Sequence, residues 1–397
     1  MLRRLLFVDD EPFIRELYSS LQGVLGQGHE VHTAANGSDA LRLLNQHPFD
    51  VVVSDLAMPG MDGMEFLNEV VEDFPHTARV IVSGYADRLK IAECLTVGHR
   101  FFHKPIDFKT LATFLRRVCK YSHLVSNDRL RKIICGTKAL PALPENYLRL
   151  SEILSSPFSD LDEIIELVEQ DPGLSTKLLH VANSATFAPA QPICTPAEAV
   201  QSTGVDIIKA LMLVHQVFTF YENNSFATET FKSLWSHSLA TATAARKLAT
   251  LEEFTTPQID ECFLAGLLHD IGKLILAANA EREYRVVVEL AAKASLPLDQ
   301  AEMGVFAATH AQVGAYLLAL WGVPENVISA VELHQSLDPD RVKKFDPALA
   351  VHLAQNLEPG GARKKFLNTA LLDQLGLSAR LPVWESAIAE LGRGNES

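Results

Sequence analysis

Asp50–Gly63 reads DVVVSDLAMPGMDG, a run of three valines that stops at Asp55 and is followed by a proline and glycines. Short β-branched runs bounded by such residues read as strands. The same form recurs in Arg4–Asp10 (RLLFVDD), which ends in two aspartates, in Arg79–Tyr85 (RVIVSGY), which passes through Ser83, and in Arg100–Pro105 (RFFHKP), which ends at Lys104. Helical stretches such as Ser38–Gln46 and Met64–Phe74 lie between them. Strands alternating with helices imply a doubly wound parallel sheet over about residues 1–120. Ligands of such sheets bind beyond the carboxyl ends of the strands, where Asp9, Asp10, Asp55, Ser83 and Lys104 all fall.

Working outward, 397 residues exceed one ordinary core, so two or three domains are expected. The 48% hydrophobic and 21% charged content is that of a folded globular chain. A formal charge of −14 argues against nucleic-acid binding, which needs Lys and Arg to displace counterions. The five cysteines show no C-x-x-C spacing, which points to a reducing compartment and no cysteine metal site. The apolar run Leu5–Val8 is too short for a signal peptide, and no stretch is long enough to span a bilayer, so a cytoplasmic protein without membrane contact is expected.

After residue 120 the strand signals stop. Leu161, Ile164, Ile165 and Val168 share one helical face, and Asp171-Pro172, Thr195-Pro196 with Glu198, and Thr256-Pro257 mark helix starts. The second part is mainly α. Leu111–Ile134 holds no proline or glycine. It is open to two readings, a last helix that covers the sheet and frays, or one continuous signalling or dimerising helix.

The carboxylates at the strand ends would repel one another without a cation, and Mg²⁺ suits an all-oxygen site that keeps several waters. A carboxylate beside it can attack phosphorus to give an acyl phosphate. Lys104 would balance the added charge, and Ser83 would bond a phosphoryl oxygen.

These positions resemble the receiver domain of two-component response regulators, a flavodoxin-like fold. VDDEP, DLAMPGMDG, SGYAD and FFHKP carry the resemblance. It implies Asp55 as phosphoacceptor, and Asp9, Asp10, Asp55 and the Ala57 carbonyl as Mg²⁺ ligands. Lys104 and Ser83 are the implied catalytic partners, and Ser83 with Phe101 the switch pair. A sensor histidine kinase is the implied phosphodonor, and phosphorylation is expected to pull Ser83 and Phe101 inward and shift the face of the fourth and fifth receiver helices.

The helical part resembles the HDOD domain, an output module related to the HD phosphohydrolases. The residues that carry this are Ala139–Pro144 (ALPALP), Glu169–Phe187 with its Ala182-Asn183-Ser184 turn, LWSHS, AGLLHDIGKL, THAQVGAYLLALWGVPENV and AVELHQ, in the family's order. The implied division is a receiver at 1–120, a helical linker at 121–137, an HDOD domain at 138–340 and a helical extension at 341–397. His237, His269, Asp270, His310 and His334 fall on positions that would supply several ligands of an HD-type iron or manganese site. His334 is followed by Gln335 where phosphodiesterases often pair histidines, Gln355 stands at the expected distal aspartate, and no Gly-Tyr-Pro segment follows Lys273. His352 is a conceivable substitute ligand.

The expected function is therefore a phosphorylation-controlled response regulator whose HDOD output binds a protein or ligand without catalysis. The alternative is a receiver-regulated, metal-dependent phosphohydrolase of cyclic dinucleotides or nucleotides. Asp270 is expected to accept a hydrogen bond from an imidazole such as His237 and so pin helices together. A homodimer remains open.

Overall fold

Five strands form the sheet at the N-terminal end: β1 (Arg3–Val8), β2 (His29–Ala34), β3 (Val51–Asp55), β4 (Ala78–Ser83) and β5 (Arg100–His103). All are parallel, in the order β2-β1-β3-β4-β5. Every residue of β3 and β4 is buried, as strands covered on both faces must be. The order reverses between β1 and β3, and their registered ends, Val8 opposite Ser54, open a crevice at the carboxyl edge.

The computed structural model describes residues 2–84, 97–125, 127–135, 146, 149–150, 153–154, 160–183, 191, 193–221, 227–357 and 366–394. ALPALP, Ser184 and the end of SGYAD lie outside the described residues. The chain divides into two units, Met1–Glu145 with Glu302–Val323, and Asn146–Ala301 with Pro324–Ser397.

In the first unit, α1 (Pro12–Leu25), α2 (Gly37–Gln46) and α3 (Gly63–Asp73) follow the first three strands, and α4 (Phe108–Ser122) follows β5. Helix α4 buries Leu111, Leu115 and Val118 on one stripe. The Leu111–Ile134 segment is not one helix. It breaks after Ser122 and restarts as α5 (Asp128–Cys135), because Asn127 accepts hydrogen bonds from the amides of Arg129 (2.9 Å) and Leu130 (3.2 Å) and so caps a new helix. Arg79, fully buried, fixes the end of that helix. Its guanidinium donates to the carbonyls of Thr77 (3.0 Å), Val97 (2.6 Å) and Cys135 (2.5 Å). Helix α15 (His310–Leu320) packs on α4 and groups with this first unit.

The second unit contains α6 (Leu161–Glu169), α7 (Pro172–Ala182), α8 (Pro196–Thr203), α9 (Val205–Tyr221), α10 (Ala227–Leu251), α11 (Thr256–Leu268), α12 (Ile271–Asn279) and α13 (Glu281–Ala294). Helix α14 (Leu298–Phe306) includes the chain positions at which the units divide. Helices α16 (Glu325–Leu333), α17 (Pro347–Asn356), α18 (Thr369–Gln374) and α19 (Leu381–Gly394) complete it. The third helix-start signal is displaced by one residue: Thr255, not Thr256, is the cap, its amide donating to Gln258 Oε1 at 3.1 Å.

Helices α10, α11, α16 and α17 pack on one another. At Gly266 a Cβ would lie 2.6 Å from Ala242 Cα, so a side chain there would push α11 off α10. The described residues after 340 pack within this unit. All but the first residue of α17 are buried, and the buried Trp384 donates to Glu252 at 2.8 Å. Among the described residues no single helix is long and apolar enough to cross a membrane, although the bent pair α14 and α15 passes by length and composition.

The Arg79 site makes the first unit acid-sensitive. Arg79 N donates to His99 Nδ1 at 2.9 Å, and burial, reinforced by the Arg79 charge, pushes the imidazole well below its ordinary pKa. A depressed histidine contributes stability that is present above its unfolded pKa of about 6.5 and is lost as pH falls below it. Hydrogen exchange of β1 and β3 amides is expected to show falling protection below that pH. The fall should be shallower in His99→Asn, which keeps an acceptor and cannot titrate there.

Candidate phosphoacceptor and histidine sites

Asp9 and Asp10 follow β1 directly and Asp55 ends β3, so the reversal of strand order places all three at one crevice. Their carboxylate oxygens lie within 4.8 Å of one another. Lys104, just beyond β5, donates to Asp9 Oδ2 at 3.0 Å and Asp55 Oδ2 at 2.5 Å. Asp55 Oδ1 accepts from the amides of Leu56 (2.7 Å) and Ala57 (3.4 Å). Burial pushes the Asp55 pKa up, against the lowering effect of Lys104. For Lys104, burial alone would lower the pKa, but Asp55 and Asp9 outweigh it and hold the ammonium up.

Three carboxylates and one ammonium leave two negative charges, on hard oxygen donors, which fits a divalent cation such as Mg²⁺. Ser83 is fully buried at the end of β4. Phe101 lies inside the hydrophobic cluster with Ile81 and Leu56, 8% exposed.

Gly63 sets the loop after Asp55. Its amide donates to the Leu56 carbonyl at 2.9 Å, and a Cβ would overlap the Asp55 carbonyl oxygen and lie 2.7 Å from Leu56 Cα. Asp62 and Glu65 close a capping box around it, which starts α3 at this point.

In the second unit His269 and Asp270 sit where α11 gives way to α12, both buried. His237 Nε2 lies 3.3 Å from His269 Nε2, and the nearest Asp270 oxygens are 3.4 Å from His269 Nε2, 3.7 Å from His334 Nε2 and 3.8 Å from His237 Nε2. The last separation is too long for the expected His237–Asp270 hydrogen bond. The partner of Asp270 is instead Lys273, whose ammonium donates to Oδ2 at 2.6 Å. A lysine three residues along a helix can reach back to its aspartate, so the spacing in HDIGK was the available signal.

The imidazoles are oriented from behind. His269 Nδ1 donates to the Gly266 carbonyl and His334 Nδ1 to the Val331 carbonyl, each at 2.7 Å, which turns Nε2 of both toward Asp270. Burial holds His269 well below its ordinary pKa, hence neutral. His334 Nε2 accepts from Gln335 Nε2 at 3.1 Å. Gln355 faces the same place, donating to the His334 carbonyl at 2.7 Å. His352 is no substitute ligand, because Nδ1 donates to the His334 carbonyl at 2.8 Å and Nε2 accepts from Asn368 N at 3.2 Å. His310 belongs to the first unit, fully buried, with Nδ1 held 2.7 Å from Glu302 Oε2. Glu302, also fully buried, was not singled out in the sequence, where it is one acid in an otherwise apolar turn.

The chain thus carries a parallel sheet with an acidic crevice beside a lysine, followed by a helical unit with an inward histidine cluster. Family comparison agrees: the response regulator receiver domain matches residues 5–116 and the HDOD domain matches residues 140–337. The chain joins a receiver domain to an HDOD domain and is related to response regulators.

An uncharacterized protein of Treponema pallidum (strain Nichols) is 26% identical over 272 residues, 68% of this chain and 49% of the relative. The regulatory protein AtoC of Escherichia coli (strain K12) is 36% identical over 172 residues, 38% of this chain and 37% of the relative. The chain thus spans half or less of the length of these relatives. A Shewanella amazonensis SB2B structure, named as a candidate phosphohydrolase, is 19% identical with a TM-score of 0.50 over 67% of this chain and 95% of that one, a likeness of fold.

Gly63→Ala is expected to lower the stability of the first unit by about 1–3 kcal/mol, the usual cost of forcing an atom into filled space, and to slow phosphorylation of Asp55. Urea unfolding and labelling with a small acyl phosphodonor measure the two effects.

Proposed function

We propose that the chain accepts a phosphoryl group on Asp55 from a sensor histidine kinase in the cytoplasm, and that its HDOD part is a non-hydrolytic output that binds a protein or small ligand. The observation that carries the first half is the Lys104 ammonium bridging Asp9 and Asp55 at the sheet's switch point. An ionised Asp55 oxygen attacks phosphorus while the donor's leaving group departs. Asp9, Asp10, Asp55 and the Ala57 carbonyl would hold Mg²⁺, whose charge offsets that of the phosphoryl oxygens. Lys104 then re-pairs with the phosphorylated carboxylate, and the Ser83 hydroxyl is the proposed donor to one of its oxygens.

For the second half, two of the ligand atoms an HD-type site would use, Asp270 Oδ2 and His334 Nε2, already meet partners within the protein. Lys273 neutralises Asp270, Gln335 donates to His334 Nε2, and a neutral amide at Gln355 replaces a carboxylate. A +2 ion there would lack the anionic ligands that offset its desolvation. The second reading, a metal-dependent phosphohydrolase, is favoured by the orientation of His269 and His334, whose Nδ1 bonds to backbone carbonyls turn Nε2 inward as in metal-ligating histidines.

The proposal predicts no turnover of cyclic di-GMP or simple phosphodiesters with Mn²⁺, or with Fe²⁺ under reducing conditions. It also predicts that Asp270→Ala costs about 3–5 kcal/mol, because a buried ammonium loses its counter-charge, and that adding Lys273→Met recovers part of it. Metal-dependent turnover that disappears in His269→Ala with the fold intact establishes the phosphohydrolase instead.

A further inference from the structure

Helix α15 is held against the receiver body at three places. Ahead of it, Asn127 Nδ2 donates to the Phe306 carbonyl at 2.9 Å. Midway, the Tyr316 hydroxyl meets Cys135 Sγ at 3.4 Å, on the helix end that Arg79 fixes. At its C-terminal end Arg100 Nη1 donates to the Trp321 carbonyl at 3.0 Å, and Arg117 Nη1 to the Val323 carbonyl at 2.7 Å. Arg100, on the carbonyl of the C-cap residue Trp321, complements the negative end of the helix dipole, and Arg117 holds the turn just beyond it. Gly322 makes this possible, since it turns the chain at φ +75°, and a Cβ there would press on the Arg100 guanidinium at 3.2 Å. A cleft of about 440 Å³ lined by Arg100, Phe102, Lys109, Phe114 and Arg117 borders the clamp and leaves room for the guanidiniums to reorient.

The placement of these arginines matters because Arg100, Phe101 and Lys104 share one five-residue stretch on and after β5. Strand alternation sends Phe101 into the core and Arg100 to the opposite face, over the Phe102 ring at 5.7 Å. Any re-seating of Lys104 by a phosphoryl group on Asp55 therefore acts on the strand that carries the clamp. Glu302–Val323 is joined at both ends to chain of the second unit, at Ala301 and Pro324. Its first helical residue, His310, is one of the HD-position histidines.

We propose that α15 transmits the receiver's state to the output half, with Arg100 on its C-cap carbonyl and Arg117 on the turn that follows as the coupling. The β5–α4 surface is then an intramolecular contact filled by the chain's own segment. This inference rests on Asp55 being the phosphoacceptor, and the test separates the two.

Hydrogen exchange of the full-length protein is followed with and without a small acyl phosphodonor and Mg²⁺, in wild type, Arg100→Ala/Arg117→Ala, Arg117→Lys and the exposed control Arg116→Ala. In wild type and the control, residues 51–63, 310–323 and 256–279 are all expected to change. In the double variant residues 51–63 keep their response, while that of 310–323 and 256–279 shrinks about fivefold or more, the low end of ordinary coupling energies. Arg117→Lys keeps the charge and is expected to fall between. An undiminished response of 256–279 in the double variant, or a wild-type response of 256–279 that bypasses 310–323, overturns the proposal. A wild type silent at 51–63 overturns the phosphoacceptor reading and this inference together.

Discussion

The Lys104 ammonium stands between two carboxylates that would otherwise repel each other at a buried edge. Asp9 is fully buried and Asp55 6% exposed, so their charges cannot be left to water, and burial pushes the Asp55 pKa up. One cation serves both, and the third aspartate leaves the crevice short of positive charge. That shortage is what makes the site responsive, because the bridge is the group that must re-pair when the charge on Asp55 changes. Around it the scaffold is rigid: β3 and β4 are buried throughout, and Gly63 lets α3 close directly on the Asp55 backbone.

The second unit resolves a similar problem in the opposite way. Asp270 is a buried carboxylate among imidazoles, one of them the neutral His269, and its compensation is Lys273 in the next helical turn. Around it, Gln335 donates to His334 Nε2, and Gln355 donates to the His334 carbonyl. An arrangement of this kind ties α10, α11, α16 and α17 together. Buried ion pairs are weak evidence of stability but costly to break from one side, which is why single substitutions here are informative.

Much of this was legible in the sequence. Valine runs ending in aspartates give buried strands with carboxylates at their carboxyl ends, because a strand covered on both faces must be continuously apolar. Asp171, Thr195 and their partners mark helix starts because caps act locally. Asn127 obeys the same rule, and a reading that weighed it would have broken the Leu111–Ile134 helix in two. The packing of α15 on α4 was not legible, because nothing local in a helix names the distant surface it meets. The same holds for Phe101, whose inward position depends on Leu56 and Ile81 from other strands. The histidine positions were readable by resemblance, but the pairing of Lys273 with Asp270 and of Glu302 with His310 depends on side-chain geometry that spacing only hints at.

The central claim is that the crevice between β1 and β3 is a phosphoacceptor site with Asp55 as its nucleophile. Borohydride reduction of the phosphorylated protein converts an aspartyl phosphate to homoserine, and peptide mass spectrometry then locates it. The account predicts homoserine at position 55 alone, formed only with phosphodonor and Mg²⁺ together and absent in Asp55→Asn. Homoserine at Asp9 or Asp10 in wild type, or none under conditions in which the folded protein has bound Mg²⁺, would contradict it.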